Sequence, residues 1–99
     1  MQKYQINPMP PQIDPALVSR SATVETATIG HIRQLGFADP AIAPMMPAKT
    51  VIGTAVTLAL PGQDSTLLHD VAGRLRSGDV LVIDRLGDHK HACLGGGVA

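Results

Sequence analysis

The chain has 99 residues, 44% of them apolar, with one Tyr, one Phe and no Trp. That is enough for one small domain with a core of aliphatic side chains, and too little for two. Eight basic and eight acidic residues cancel, which removes the electrostatic footprint for phosphate backbones or anionic membranes, and so few aromatics exclude base stacking as a main binding mode.

The lone Cys93 excludes an intramolecular disulfide and fits a reducing compartment. Met1 to Pro15 is polar and broken by prolines, unlike a signal peptide. The longest uncharged run, Thr50 to Gln63, is too short to span a bilayer. The expectation is a cytoplasmic protein, with neither nucleic acid nor membrane as partner.

In chain order, residues 1–15 are expected to form a Pro-rich arm carrying Pro8, Pro10, Pro11 and Pro15, and residues 16–99 the N-terminal portion of a single domain. Asp14 followed by Pro15 is a helix start, predicting a short helix to Arg20. Ile29, Ile32 and Leu35 repeat at helical spacing, predicting a second helix from about Thr23 to Leu35 with Gly36 just past its end. Pro40, Pro44 and Pro47 make Asp39 to Lys49 a loop. Val51 to Leu60 (VIGTAVTLAL) is β-branched and apolar, as expected of a buried strand.

Asp64 or Ser65 can cap a third helix whose Leu67, Leu68, Val71 and Leu75 share one face. Ser77-Gly78-Asp79 is a turn, and Val80 to Ile83 a second buried strand. Strand, helix and strand with short links predict a right-handed βαβ unit with parallel strands, hence an α/β fold. Such strands need cover on both faces, and the chain supplies little beyond two helices. His89 to Leu94 is a possible third strand. The uncharged end ACLGGGVA reads as an interruption where a helix begins.

Gly95-Gly96-Gly97 is the most suggestive motif. Glycines let a ligand approach the backbone closely, and free N–H groups at a helix start favour an anion. The spacing is not a dinucleotide fingerprint, and a glycine triplet is also a common packing device. His89 and His91 would share one face of a strand and could hold a metal, but no third ligand is in view. His69 and Asp70 point about 100° apart on a helix, so they read as a surface pair. His31 either lines a cleft or makes a hydrogen bond at the core edge. Asp84-Arg85 closes the second strand, where α/β sheets place ligands. Cys93, without a base beside it, reads as a buried inert thiol, and Met45-Met46 as packing.

Taken together, DPAIAP (residues 39–44), VIGTAVTL (51–58), LLHDV (67–71), GDVLVID (78–84) and the Gly-rich turn, with TATIGHIRQLG (26–36) before them, closely resemble the RraA-like family. That family comprises the regulator of ribonuclease activity A and the 4-hydroxy-4-methyl-2-oxoglutarate aldolases, which also decarboxylate oxaloacetate. The resemblance implies a swivelling β/β/α domain, here incomplete around its central βαβ unit, in a homotrimer with sites where subunits meet. It also implies Mg²⁺ or another divalent metal and a small 2-oxo-acid substrate, whose carboxylate is held at Gly95, Gly96, Gly97 and Val98. His31 and Asp84 are weaker candidates for the cleft. The family's Arg-Asp pair, which clamps substrate and anchors the metal, is absent from these residues, and Gly96 stands where the aldolases carry an acid. The expectation is therefore a lyase-like chain with no metal ligands of its own, inactive alone. The alternative is a non-catalytic regulator that docks on a ribonuclease.

Overall fold

A computed structural model describes residues 3–47 and 50–93. The chain divides into two compact units, Met1–Gln12 with Gly53–Ala99 and, separately, Ile13–Ile52. The helices are α1 (Pro15–Ser21), α2 (Thr26–Ile32) and α3 (Thr66–Ala72), and the strands β1 (Thr54–Ala59) and β2 (Asp79–Asp84).

The first unit holds the βαβ motif. β1 and β2 pair in parallel, with Val56 opposite Leu81 and Leu58 opposite Ile83. Along β1 the burial alternates strictly: Thr54, Val56 and Leu58 are inside, while Ala55, Thr57 and Ala59 are exposed. α3 lays Leu68 and Val71 on the inner face, closing a core of Val56, Leu58, Leu60, Leu68 and Val71. Met9, Leu67, Leu81, Ile83 and Cys93 pack around it half-buried. Leu60 and Leu68 are each only 1% exposed, and burying such a side chain stabilises by roughly 1.5–3 kcal/mol. On the opposite face Val82 is 44% exposed beside the small side chains of β1, so only one of the two faces expected to be covered is covered.

Two glycines allow the strands to meet. Thr54 N–H donates to the Gly78 carbonyl at 2.9 Å, and a Cβ on Gly53 would lie 2.4 Å from that same oxygen and 2.9 Å from Val80 Cγ2. Gly78 has φ +91° and turns the chain into β2, a conformation side chains disfavour. The strand is accordingly shorter than the apolar run: Val51 and Ile52 precede the pairing, and Val51 is 70% exposed.

In the second unit α1 starts as the sequence predicts, with the Asp14 side chain accepting from Ala16 N–H and Pro15 at the first position. α2 is shorter than predicted at both ends. Val24 N–H is spent on a turn to the Ser21 carbonyl, and Arg33 is already extended. Ile32 and Leu35 are 82% and 88% exposed, so the helical spacing meets no apolar surface to extend it. Gly36, at φ +96°, bends the chain beyond the helix rather than capping it. Asp39 builds a turn at the start of the Pro-rich loop, accepting from Ala41 N–H through its side chain and from Ile42 N–H through its carbonyl.

The close approach at Gly53 generates a paired prediction. Gly53→Ala is expected to cost about 1–3 kcal/mol by overpacking. Gly73, right-handed at φ −73° with only the Asp70 carbonyl 3.6 Å from an added Cβ, is expected to gain roughly 0.4–1 kcal/mol as alanine. Urea midpoints of the two variants check this, and equal midpoints would refute the steric account.

Candidate functional site

The carboxyl ends of β1 and β2 lie side by side, the place where parallel sheets receive ligands. After β1 the chain runs Leu60-Pro61-Gly62-Gln63, and Leu60 N–H still donates to the Asp84 carbonyl at 2.8 Å. After β2 it turns sharply. The Asp84 side chain accepts from Leu86 N–H at 2.8 Å, and Leu86 and Gly87 are both left-handed, at φ +55° and +89°. For a leucine this conformation is unfavourable by about 1–2 kcal/mol.

Beyond the turn, Asp88 organises the segment. Its Oδ1 accepts from the N–H groups of Lys90 at 2.9 Å and His91 at 3.2 Å. Its Oδ2 lies 2.9 Å from His91 Nδ1 and 3.3 Å from Arg85 Nη2. The Lys90 backbone bond first, then the His91 side chain, hold this carboxyl at about 2, well below its ordinary value. Being ionised, Asp88 only accepts, so His91 Nδ1 carries the proton. In the neutral ring Nε2 then accepts from Gln63 Nε2 at 3.0 Å. Arg85 Nη2 also donates to the Gly62 carbonyl at 2.7 Å and the His91 carbonyl at 3.2 Å, tying the two strand ends together. Its Nε is buried with no hydrogen-bond partner.

This arrangement corrects the sequence-level reading of residues 89–93. They form no strand, because Asp88 gathers their backbone N–H groups into a side-chain-stapled turn. His89 and His91 therefore do not share a strand face, and His91 is an Asp-oriented imidazole instead. The Asp88–His91 spacing carried a signal that period-2 reasoning passed over: an Asp after Gly, with donors two and three residues on, is a side-chain turn. His69 is exposed, and Asp70 pairs with Arg74 at 3.1 Å rather than with it. Cys93 is half-buried against the core.

Of the predicted site residues, Asp84 stands exposed at the end of β2 with its carboxylate turned back onto Leu86. His31 lies exposed in the last turn of α2, in the other unit. Gly95, Gly96, Gly97 and Val98 lie outside the described residues. Among the described residues no group of three or more His, Cys, Asp or Glu is arranged to hold a metal ion. Likewise no described helix is long and apolar enough to cross a membrane.

Asp64 and Asp79 are also held at about 2, the first by the Thr66 hydroxyl above all, the second by the Arg76 side chain. Carboxyls so lowered stay ionised in the native state where the unfolded chain is already taking up protons. Their contribution is complete above the ordinary carboxylate range and is lost as pH falls towards about 2. Thermal midpoints recorded from about pH 6 down to about pH 2 should fall, and fall less steeply in Asp88→Asn. The same steepness in the variant would remove Asp88 from this account.

Residues 16–99 match the family model described as RraA-like, Aldolase/RraA. No curated protein and no solved structure matches the chain. The family match spans all but the first 15 residues and includes the whole βαβ unit, α2 and all of α1 except Pro15, and the chain accordingly belongs to the RraA-like family.

Proposed function

We propose that this chain supplies the carboxylate-binding part of a 2-oxo-acid lyase of the aldolase type. In this reading it belongs to a swivelling β/β/α domain working as a cytoplasmic homotrimer. The observation that carries the reading is the placement of the parallel pair. β1 and β2 end together, and the Asp88 turn follows at that end, ahead of Gly95-Gly96-Gly97 in the sequence. Backbone N–H groups where a glycine-rich turn leads into a helix suit a carboxylate, and the family resemblance assigns that role to Gly95, Gly96, Gly97 and Val98.

The described residues do not fit the metal that the family's aldolases use, since no cluster of three ligands is present among them. No step through Mg²⁺ or another divalent metal is assigned to this chain. Its own part is to bind and orient the acid. Carbon–carbon cleavage of 4-hydroxy-4-methyl-2-oxoglutarate, or decarboxylation of oxaloacetate, needs a clamp and a Lewis acid from groups other than those described.

Two measurements test this. Oxalate, a planar mimic of the pyruvate enolate, is expected to shift the amide resonances of Gly95, Gly96 and Gly97. Its dissociation constant should be on the order of 1 mM, about −4 kcal/mol. No shift of those amides at several times that concentration would sink the reading. In the same preparation, with Mg²⁺ present, pyruvate release from either substrate should not exceed a protein-free blank.

A second reading has one implication of the family resemblance in its favour: by order in the motif, Gly96 takes the place of an acidic residue of the aldolases. In that reading the chain is a non-catalytic regulator that docks on a ribonuclease. Retention of the ribonuclease on immobilised chain at low salt, together with unmoved glycine amides, would decide for it.

A further inference from the structure

The arm at residues 3–12 is fastened to the βαβ unit at two points of unequal strength. At its far end Gln12 Nε2 donates to the Ser77 carbonyl at 2.8 Å and to Asp79 Oδ1 at 3.0 Å. Arg76 Nη2 donates to the Pro10 carbonyl at 2.7 Å. The Asp79 side chain is only 1% exposed and also takes Arg76 N–H at 2.8 Å and Nε at 3.0 Å. This fastening is many-sided, shared among Gln12, Arg76 and Asp79.

The near end is different. Tyr4 donates its phenol to Asp64 Oδ2, and Lys3 Nζ stands 3.9 Å from the same oxygen on a side chain that is 78% exposed. Between the two points Gln5 to Pro10 walls a groove of about 540 Å³ whose other sides are β1 and α3. Of this stretch only Met9 packs against the core.

The groove lies along the free edge of β1. Thr54 and Leu60 direct their N–H groups to β2, so by the two-residue period of a strand Ala55, Thr57 and Ala59 direct theirs away from it. An open row of this kind is a template for pairing with another chain. Pro8, Pro10 and Pro11 suit a cover: they have no N–H to add to the edge, and their fixed φ lets the arm move as a stiff piece.

We propose that residues 3–9 are a latched lid over the free edge of β1, hinged at Pro10–Gln12 and opening from the Tyr4–Asp64 end. Opening lifts Met9 from the core while the Asp79 fastening stays closed. Loss of the single tyrosine–carboxylate contact releases the lid without unfolding the unit behind it.

Methionine oxidation reads the lid directly, because the chain carries its own controls. Met45 and Met46 are 92% and 62% exposed, whereas Met9, carried on the lid, is half-buried against the core. With dilute peroxide, followed by peptide mass spectrometry, Met9 in the intact chain should oxidise several-fold more slowly than Met45 and Met46. In Tyr4→Phe the Met9 rate is expected to rise towards theirs, with an unchanged thermal midpoint. Tyr4 is the only tyrosine and there is no Trp, so fluorescence provides a second readout. Emission quenched by the Asp64 carboxylate should brighten in Asp64→Asn. Equal Met9 rates in the intact chain and Tyr4→Phe would overturn the proposal. So would a Met9 rate that rises in Gln12→Ala but not in Tyr4→Phe, since the hinge would then lie at the wrong end.

Discussion

The pairing of Thr54–Ala59 with Asp79–Asp84 is the contact on which the rest of the described structure depends. Parallel strands have no local turn to hold them and are closed by whatever lies between, here α3 and its two short links. Gly53 and Gly78 let the strands start together, because a single added methyl at Gly53 would meet a carbonyl oxygen at 2.4 Å. Once the register is set, Val56, Leu58, Leu81 and Ile83 fall on one face and Leu68 and Val71 have a surface to cover. With a core of five side chains, small errors at this junction are a large share of total stability.

Three carboxylates secure the periphery of that unit, and each does a different task. Asp79 fastens the turn before β2 to Arg76 and to the N-terminal arm through Gln12. Asp64 begins α3 by taking the Thr66 N–H and hydroxyl, and it receives Tyr4 from the arm. Asp88 folds the segment after β2 into a turn and orients His91. All three lie in loops or at element ends, where backbone donors are unspent and one ionised side chain can satisfy several of them. The contacts that could be regulated or broken are thus side-chain contacts at the edges, while the parallel pair remains.

The described geometry joins the two strand ends at the carboxyl edge of the parallel pair. Arg85 ties Gly62 to His91, so the two strand ends and the following segment form one connected polar cluster. Its charges are largely matched within the cluster: Asp88 faces both Arg85 and His91. Such a cluster holds a loop in place.

How much of this was legible beforehand depends on the range of the interaction. The βαβ order, the Asp14–Pro15 helix start and the Ser77–Asp79 turn rest on local rules, and local rules see them: a capping side chain, a fixed proline φ, a glycine at positive φ. The family pattern, likewise, is a matter of residue order. Other features depend on partners 20 or more residues away. The arm's hold on Asp64 and Asp79 spans 60 and 67 residues, and Gln63 reaches His91 across 28. Helical spacing in α2 promised more turns than form, because Ile32 and Leu35 have no apolar surface to extend onto. The segment after β2 looked like a strand since its composition allows one, yet Asp88 offers its N–H groups a closer acceptor than any neighbouring strand. The sequence by itself determined the order of the helices and of the parallel strand pair, and what family they compose. Tertiary structure alone decided where each stops and which carboxylate it is fastened to, because those outcomes turn on acceptors and surfaces that the chain brings together only by folding.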